Sequence, residues 1–236
     1  MSATAPEMAG AAGEATRAST RLPRVAGVVL AAGGSLRFGS GVPGTGPKQL
    51  ALFHGETLVR RACLAATRSR LDRIALVIGH EAERVRAQAC DLPVEIVENP
   101  SWAEGQSTSV RAGLLAVRSG ADAALFLPID QPLLDAAVID TILDRFRALW
   151  AEVDHAARDA ILVPIHAGRR GAPVLFGAAL FDELLPLTGD SGGRQLVAAH
   201  PENVIEVELP SAAPLEDVDT LDEMLRLEAL SPPQGP

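Results

Sequence analysis

The sequence has little of several residue types on which whole classes of protein depend. It contains two cysteines, Cys63 and Cys90, no tyrosine, and only 3% aromatic residues in a chain of 236. Two thiols without a CxxC spacing exclude a disulfide-rich scaffold and a cysteine zinc site. We expect both thiols to be buried and reduced, which suits a reducing compartment and predicts a cytoplasmic protein.

Long apolar runs are missing as well, and no stretch approaches the roughly 18 apolar residues that a membrane span needs. Acidic residues outnumber basic ones by 30 to 21, and the formal net charge is -9. An acidic chain with few aromatic residues is poorly suited to binding nucleic acid, which needs basic side chains for the phosphates and aromatic ones for base stacking. We therefore expect neither nucleic acid nor a membrane among the partners.

What the chain does contain is enough apolar material for one large folded domain. Apolar residues make up 47% of it, and its length suits one α/β domain better than two. Residues 1–24 are rich in alanine and threonine, and residues 231–236 contain three prolines. We expect a disordered leader at 1–24, a folded domain at 25–230 and a disordered tail at 231–236.

Within the domain, short apolar runs alternate with amphipathic stretches. Strands are predicted at 25–31, 73–78, 94–97, 123–127, 161–164, 173–176 and 203–209. Helices are predicted at 56–69, 81–90, 107–118, 135–149, 178–185, 192–199 and 219–229. This alternation predicts an α/β fold, a three-layer α/β/α sandwich with a mostly parallel sheet. Ligands of such sheets bind outside the carboxyl ends of the strands, which points to the loops after the first, third and fourth strands.

The loop after the first strand is rich in glycine, and residues 30–48 read LAAGGSLRFGSGVPGTGPK. Glycines let bare backbone N–H groups approach an anion, and Arg37 and Lys48 add two positive charges, so the loop suits a triphosphate. It matches neither the dinucleotide fingerprint nor the P-loop. LAAGGSLRFG followed by PK resembles the LAAGxSxRxG…PK signature of the MobA-like nucleotidyltransferases, and most of all their molybdenum cofactor cytidylyltransferases. The spacer at 40–46 is longer than is usual in those enzymes.

This resemblance implies a Rossmann-like nucleotidyltransferase fold with Mg²⁺ as the cofactor. It implies that Arg37 and Lys48 are catalytic and hold the phosphates. Guanylyltransferases of the family have glycine where this chain has Ala32, and a side chain there narrows the space beside the base, which favours CTP over GTP. The nucleotide-binding residues implied in this loop are Leu30, Ala31, Ala32, Gly33, Gly34 and Ser35.

Residues 99–114 are similar to the family stretch NPxWxxGxxxSLxxGL. The resemblance implies that Gly105 and Ser109 contact the nucleotide base, while Trp102 is expected to pack. From its residue type and position, Ser107 is predicted to cap the helix that follows.

Two acidic segments complete the expected site. In LPIDQP, a buried strand ends at Asp130, where a carboxylate suits Mg²⁺ but an ordinary turn aspartate is an equally good interpretation. The segment resembles the family's DQP motif, which implies that Asp130 is catalytic and the main metal ligand. Residues 216–223 are similar to DIDTPED, which implies Asp219 as the second metal ligand with Asp217 as its substitute, although Asp219 is also a plausible helix cap.

The acceptor side is implied by two later segments. Residues 169–176 resemble RGHPVLF and residues 189–194 resemble GDxGAR, which implies acceptor contacts by Arg170, Gly171, Asp190 and Arg194. The alternative for Asp190 and Arg194 is that they only cap the helix that follows. Residues 189–193 also spell the serine-protease string GDSGG. A protease is not expected, because that chemistry needs a histidine base and a buried aspartate that this α/β pattern does not offer.

The expected reaction is transfer of CMP from CTP to the phosphate of molybdenum-bearing molybdopterin, with release of pyrophosphate and a molybdoenzyme as the client. Alternatives within the fold are a guanylyltransferase using GTP, a methylerythritol-phosphate cytidylyltransferase and a sugar-phosphate nucleotidyltransferase. The alternative outside enzymes is a nucleotide-binding protein that delivers the cofactor. An oxidoreductase is a weaker alternative, because the chain has no nicotinamide fingerprint.

Overall fold

The computed structural model describes residues 21–34, 38, 46–190 and 192–231. The strands are β1 (Val25–Ala31), β2 (Leu52–Phe53), β3 (Glu56–Thr57), β4 (Arg73–Ile78), β5 (Glu95–Glu98), β6 (Ala123–Pro128), β7 (Ile161–His166), β8 (Arg169–Arg170), β9 (Val174–Gly177) and β10 (Val204–Glu208). The helices are α1 (Leu58–Arg68), α2 (Ala82–Ala87), α3 (Gln106–Val117), α4 (Ala136–Glu152), α5 (Asp154–Asp159), α6 (Phe181–Leu184), α7 (Arg194–Ala199) and α8 (Leu221–Leu230).

The central sheet of the described chain has eight strands, in the order β10-β7-β9-β6-β1-β4-β5, with β8 paired to β7. Strand β1 pairs in parallel with β4 and β6, whereas β9 runs antiparallel to β6 and β7. Residues 25–29 of β1 are buried, as expected for a central strand covered on both faces. The predicted mostly parallel sheet is therefore confirmed.

Helices cover both faces of the sheet, and a large apolar core lies against each face. One core packs α1 and α4 against one face, with Trp150 and Phe146 among its largest buried side chains. The other packs α3 and α6 against the opposite face around Phe176. This arrangement confirms the predicted three-layer α/β/α sandwich.

Several details differ from the sequence-based expectations. The short hairpin β2–β3, helix α5 and strand β8 were not predicted, because two to six residues carry too little periodicity to be recognised. Cys63 is buried as expected, and burial raises the pKa of its thiol to about 12. The prediction that Cys90 is buried is wrong, because α2 ends at Ala87 and Cys90 lies exposed in the turn that follows.

At the amino end of β1, the last residues of the predicted leader contact the domain. Arg21 donates two hydrogen bonds of 2.6 Å to the carboxylate of Asp122, and the Arg24 N–H donates another at 2.9 Å. Residues 1–20 and 232–236 lie outside the described residues, so the disordered leader expected at 1–24 and the disordered tail expected at 231–236 remain predictions. Among the described residues, no helix is long and apolar enough to cross a membrane.

Candidate active site

Three loops at the carboxyl edge of the sheet enclose a cavity of about 680 Å³. They follow β1, β5 and β6, the three strands after which the chemistry was expected. All the predicted nucleotide-binding residues that the structure describes line this nucleotide cavity: Leu30, Ala31, Ala32, Gly33, Gly34, Gly105 and Ser109. Ser35 and Arg37 lie outside the described residues, so their roles stay predictions.

Lys48 brings the two predicted metal ligands together. Its Nζ donates to Asp130 Oδ2 at 3.1 Å and to Asp219 Oδ1 at 2.9 Å. The Lys48 side chain is only 7% exposed, compared with 32% for Asp130 and 65% for Asp219. One buried cation therefore faces two carboxylates that open toward the cavity.

The hydrogen bonds at the start of helix α8 explain why the Asp219 side chain contacts Lys48 rather than capping the helix. The Thr220 side chain is the cap, accepting from the Glu223 N–H at 3.2 Å, while the Glu223 carboxylate accepts from the N–H groups of Asp219 and Thr220. The alternative interpretation of Asp219 as the helix cap is therefore wrong. The Val218 N–H donates to the Asp130 carbonyl at 2.9 Å, which holds the two acidic segments side by side.

These carboxylates fit a divalent cation that is only partly coordinated by protein. Oxygens of Asp130 and Asp219 already lie within hydrogen-bond distance of one positive charge, and Mg²⁺ is commonly held by one or two carboxylates plus phosphate oxygens. Within the described ranges, no group of three or more His, Cys, Asp or Glu side chains could hold a metal by itself. Water molecules or phosphate oxygens would supply the other ligands of a metal held by these two carboxylates.

Gly105 forms the turn that starts helix α3 beside the cavity. Its φ is +118°, a conformation that favours glycine, and a Cβ there would lie 2.7 Å from the Gly189 carbonyl. The same carbonyl accepts from the Ser107 N–H at 3.0 Å. Ser107 was predicted to cap this helix, which is wrong, because the cap position is Gly105 and Ser107 lies inside the helix.

Replacing Gly105 by alanine should lower the free energy of unfolding by about 1–3 kcal/mol, because strain and the clash with Gly189 add. The measurement is urea unfolding of Gly105→Ala beside Gly55→Ala. Gly55 also has a positive φ, of +81°, but no atom lies within 4 Å of a Cβ placed there. Equal losses in the two variants would show that the contact with Gly189 contributes nothing.

Trp102 packs against its neighbours in the wall of the nucleotide cavity, as expected. Its ring lies 5.0 Å from the His80 ring, and a Cβ on Gly34 would approach the Trp102 ring to 2.9 Å. The indole also lines the cavity, a role that the sequence pattern did not assign.

A second cavity of about 730 Å³ adjoins the first, and Asp130 lines both. Among the predicted acceptor residues, Arg170, Gly171 and Arg194 line this second cavity, which we name the acceptor cavity after that prediction, whereas Asp190 lines the nucleotide cavity. Its remaining wall is largely apolar and includes Val110, Phe126, Val163, Val174, Phe176 and Leu215.

Gln131 and Asp217 also line the acceptor cavity, and sequence reasoning gave Gln131 no role. Gln131 Nε2 donates to Asp217 Oδ1 at 3.0 Å, whereas its buried Oε1 has no hydrogen-bond partner in the described structure. Burial raises the pKa of Asp217, and the nearby carboxylates of Asp130 and Asp219 add to that effect. Asp217 thus lies beside the two predicted metal ligands, but its carboxylate accepts from Gln131 rather than from Lys48.

The protease-like string lies against the nucleotide cavity. Gly189 contacts the start of helix α3, and Gly193 lies against the Phe176 ring. Ser191 is outside the described residues. Asp190 of this turn lines the nucleotide cavity, whereas Gly193 and Arg194 line the acceptor cavity, so the acceptor contacts implied by the similarity to GDxGAR stay a prediction.

Comparison with known proteins agrees with the geometry. The family model for the MobA-like NTP transferase domain matches residues 27–204. Nicotine blue oxidoreductase of Paenarthrobacter nicotinovorans is 32% identical over 209 residues, covering 88% of this chain and 98% of that protein. Molybdenum cofactor cytidylyltransferase of Escherichia coli K12 is 26% identical over 154 residues, covering 65% of this chain and 72% of that protein.

A solved structure supports the same assignment. Rv0371c of Mycobacterium tuberculosis H37Rv superposes with a TM-score of 0.72 at 31% identity, covering 89% of this chain and all of that one. Another structure of Rv0371c is a complex with manganese. The family model matches most of the domain, and the fold and the loops around the cavity agree with it. The chain therefore belongs to the MobA-like NTP transferase family and is a nucleotidyltransferase.

Proposed function

We propose that this enzyme transfers CMP from CTP to the phosphate of molybdenum-bearing molybdopterin and releases pyrophosphate, with Mg²⁺ as the metal. The observation that carries the proposal is the position of Asp130. Its carboxylate lies in the walls of both cavities and bonds to Lys48, which also bonds to Asp219. A nucleotide in one cavity and an acceptor in the other would meet at this carboxylate.

The reaction needs positioning and charge neutralisation more than a protein nucleophile. An oxygen of the acceptor phosphate attacks the α-phosphorus of CTP. The bond from that phosphorus to the bridging oxygen breaks, and pyrophosphate leaves with the electron pair. Asp130 and Asp219 would hold Mg²⁺, which when bound neutralises charge on the phosphates. Lys48 and Arg37 are proposed to bind the phosphates and stabilise the charge on the leaving group.

The acceptor cavity supports an acceptor with a substantial apolar or aromatic body and an anionic group. Its wall is mostly aliphatic and aromatic, and its charged lining consists of three arginines, Arg169, Arg170 and Arg194, and three carboxylates, Asp130, Glu216 and Asp217. Arg170 bonds to Glu206 at 2.8 Å, whereas Arg194 has no hydrogen-bond or ion-pair partner among the described residues. We propose Arg194 as the principal anion contact, with Arg170 and Gly171 beside it and Asp190 at the nucleotide side.

The test is pyrophosphate release in the presence of Mg²⁺, with CTP or GTP and with or without molybdenum-loaded pterin cofactor. Release that requires both CTP and the pterin is the expected result. Release with GTP but not with CTP would still indicate a nucleotidyltransferase. It would contradict the proposal that Ala32 favours CTP over GTP. Tight nucleotide binding without release with either nucleotide would favour another acceptor or a delivery protein.

A second candidate follows from the similarity to nicotine blue oxidoreductase. Against it, β1 is followed by AAGGS rather than the glycine pattern of a nicotinamide site. Reduction of nicotine blue by NADH or NADPH, without any nucleotide triphosphate, would replace the transferase proposal with this one.

A further inference from the structure

Asn99 lies behind the nucleotide cavity and is the centre of a closed hydrogen-bond network. It is 4% exposed, and its backbone N–H donates to the Ile78 carbonyl at 2.8 Å, which ties it to the end of β4. No part of its side chain lines the nucleotide cavity. Its influence on a nucleotide must therefore pass through its neighbours.

The donors and acceptors around Asn99 can be assigned one by one. The Ser101 N–H can only donate, and it lies 3.1 Å from Asn99 Oδ1, so the amide oxygen faces Ser101. The amide nitrogen then faces two hydroxyl oxygens and donates to Thr108 Oγ1 at 2.8 Å and to Ser109 Oγ at 3.0 Å. Both of its hydrogens are thereby used.

The two hydroxyl groups differ in where their own hydrogens go. The single hydrogen of Thr108 Oγ1 is shared between the carbonyls of Gly105 at 2.9 Å and Ser101 at 3.0 Å. Ser109 Oγ has no acceptor among the described residues, and Ser109 lines the nucleotide cavity. One lone pair of Ser109 Oγ thus accepts from Asn99 on its inner side, so the hydroxyl hydrogen can turn away from Asn99 and toward whatever occupies the cavity.

We propose that Asn99 is a positioning residue that makes Ser109 a hydrogen-bond donor toward the nucleotide base. The cavity then favours a base whose facing edge carries hydrogen-bond acceptors. The O2 and N3 atoms of cytosine are such an edge, whereas the Watson–Crick edge of guanine presents two N–H donors beside one carbonyl. The inference rests on the proposed function and gives a basis for the choice of CTP that is independent of Ala32.

The test is the substitution Asn99→Asp, which keeps the size of the side chain and replaces the donor by an acceptor. The Ser109 hydroxyl would then turn its hydrogen toward the new carboxylate and present lone pairs to the cavity. With Mg²⁺ and no acceptor present, calorimetry should show CTP binding about tenfold weaker and a smaller change for GTP, so that the ratio of the two affinities falls. Ser107→Ala, a change at a buried serine on the same helix that does not line the cavity, should leave the ratio unchanged.

A double-mutant cycle with Ser109→Ala separates positioning from a structural role. In the alanine background, Asn99→Asp should change CTP affinity by less than about twofold, because its effect passes through Ser109. The inference would be overturned if Asn99→Asp lowered CTP affinity equally in the wild-type and Ser109→Ala backgrounds. An unchanged ratio of CTP affinity to GTP affinity in Asn99→Asp would overturn it as well. If Asn99→Asp does not fold, the test is Ser109→Ala alone, which must lower the ratio of CTP affinity to GTP affinity. An unchanged ratio in that variant would also overturn the inference. Wild-type protein that binds neither nucleotide would overturn the proposed function and the inference with it.

Discussion

Replacing Asp130 by asparagine is expected to lower the rate of pyrophosphate release by about 10³-fold. The substitution removes one of the two negative charges next to Lys48 and leaves a weaker metal ligand at the junction of the two cavities. Stability should change little, because Lys48 keeps its bond of 2.9 Å to Asp219. The measurement is steady-state pyrophosphate release with CTP, Mg²⁺ and the pterin acceptor, together with urea unfolding.

A matched control is Asp91→Asn, which removes an exposed carboxylate that pairs with Arg60 outside both cavities. It should leave the rate unchanged. Manganese binding in the presence of CTP gives a second readout, and it should weaken in Asp130→Asn but not in Asp91→Asn. Near wild-type turnover in Asp130→Asn would remove Asp130 from the mechanism.

Replacing Asp122 by alanine is expected to lower the free energy of unfolding by about 3 kcal/mol at neutral pH. The Asp122 side chain is 6% exposed and accepts three hydrogen bonds, two from Arg21 and one from the Arg24 N–H. The Arg21 guanidinium also lies 5.3 Å above the Trp150 ring. Loss of the carboxylate therefore removes the side-chain anchor of Arg21 and weakens the contact of its guanidinium with the Trp150 ring.

The pH dependence of this loss has a definite sign. Burial opposes ionisation of Asp122, but the hydrogen bonds from Arg21 and the Arg24 N–H more than offset it, so the pKa of Asp122 lies below its ordinary value. The stabilisation is then fully present above the unfolded pKa of about 3.9 and is lost as the pH falls through the folded pKa. Urea unfolding of wild type and Asp122→Ala should give a constant difference from pH 7 to about pH 5 and a shrinking one below about pH 4.

The exposed pair of Asp91 with Arg60 again serves as the comparison. The Asp91 side chain is 56% exposed, and solvent-exposed ion pairs contribute little to stability. Asp91→Ala should therefore change the unfolding transition far less than Asp122→Ala does. Equal effects would mean that the burial of Asp122 is not what makes its hydrogen bonds stabilising.

Most of the fold could be predicted from the sequence. Strands such as Val25–Ala31 are continuous apolar runs, and α4 shows a clear apolar stripe, because central strands and surface helices bury different patterns of side chains. The features that were missed were short or depended on burial. Helix α2 stops at Ala87, so Cys90 is exposed, and local periodicity does not reveal where a helix ends.

The candidate site was predictable in its residue types but not in its contacts. The glycine-rich loop and the acid after β6 could be found by reading the chain. The network around Asn99 could not, because its direction depends on which atoms of Ser101, Thr108 and Ser109 face each other. The division of the acceptor residues, with Asp190 in the nucleotide cavity and Arg194 in the other, likewise required coordinates.

The sequence by itself determined the alternation of strands and helices, the loops that follow the strands and the chemical groups in those loops. These follow from local patterns of apolar, glycine and acidic residues. Only the tertiary structure decided that Lys48 meets Asp130 and Asp219, which lie 82 and 171 residues away along the chain. The reason is the order of strands: β6 pairs directly with β1, and the Val218 N–H bonds to the Asp130 carbonyl. Pairings over such distances depend on the packing of the whole sheet, which no local pattern specifies.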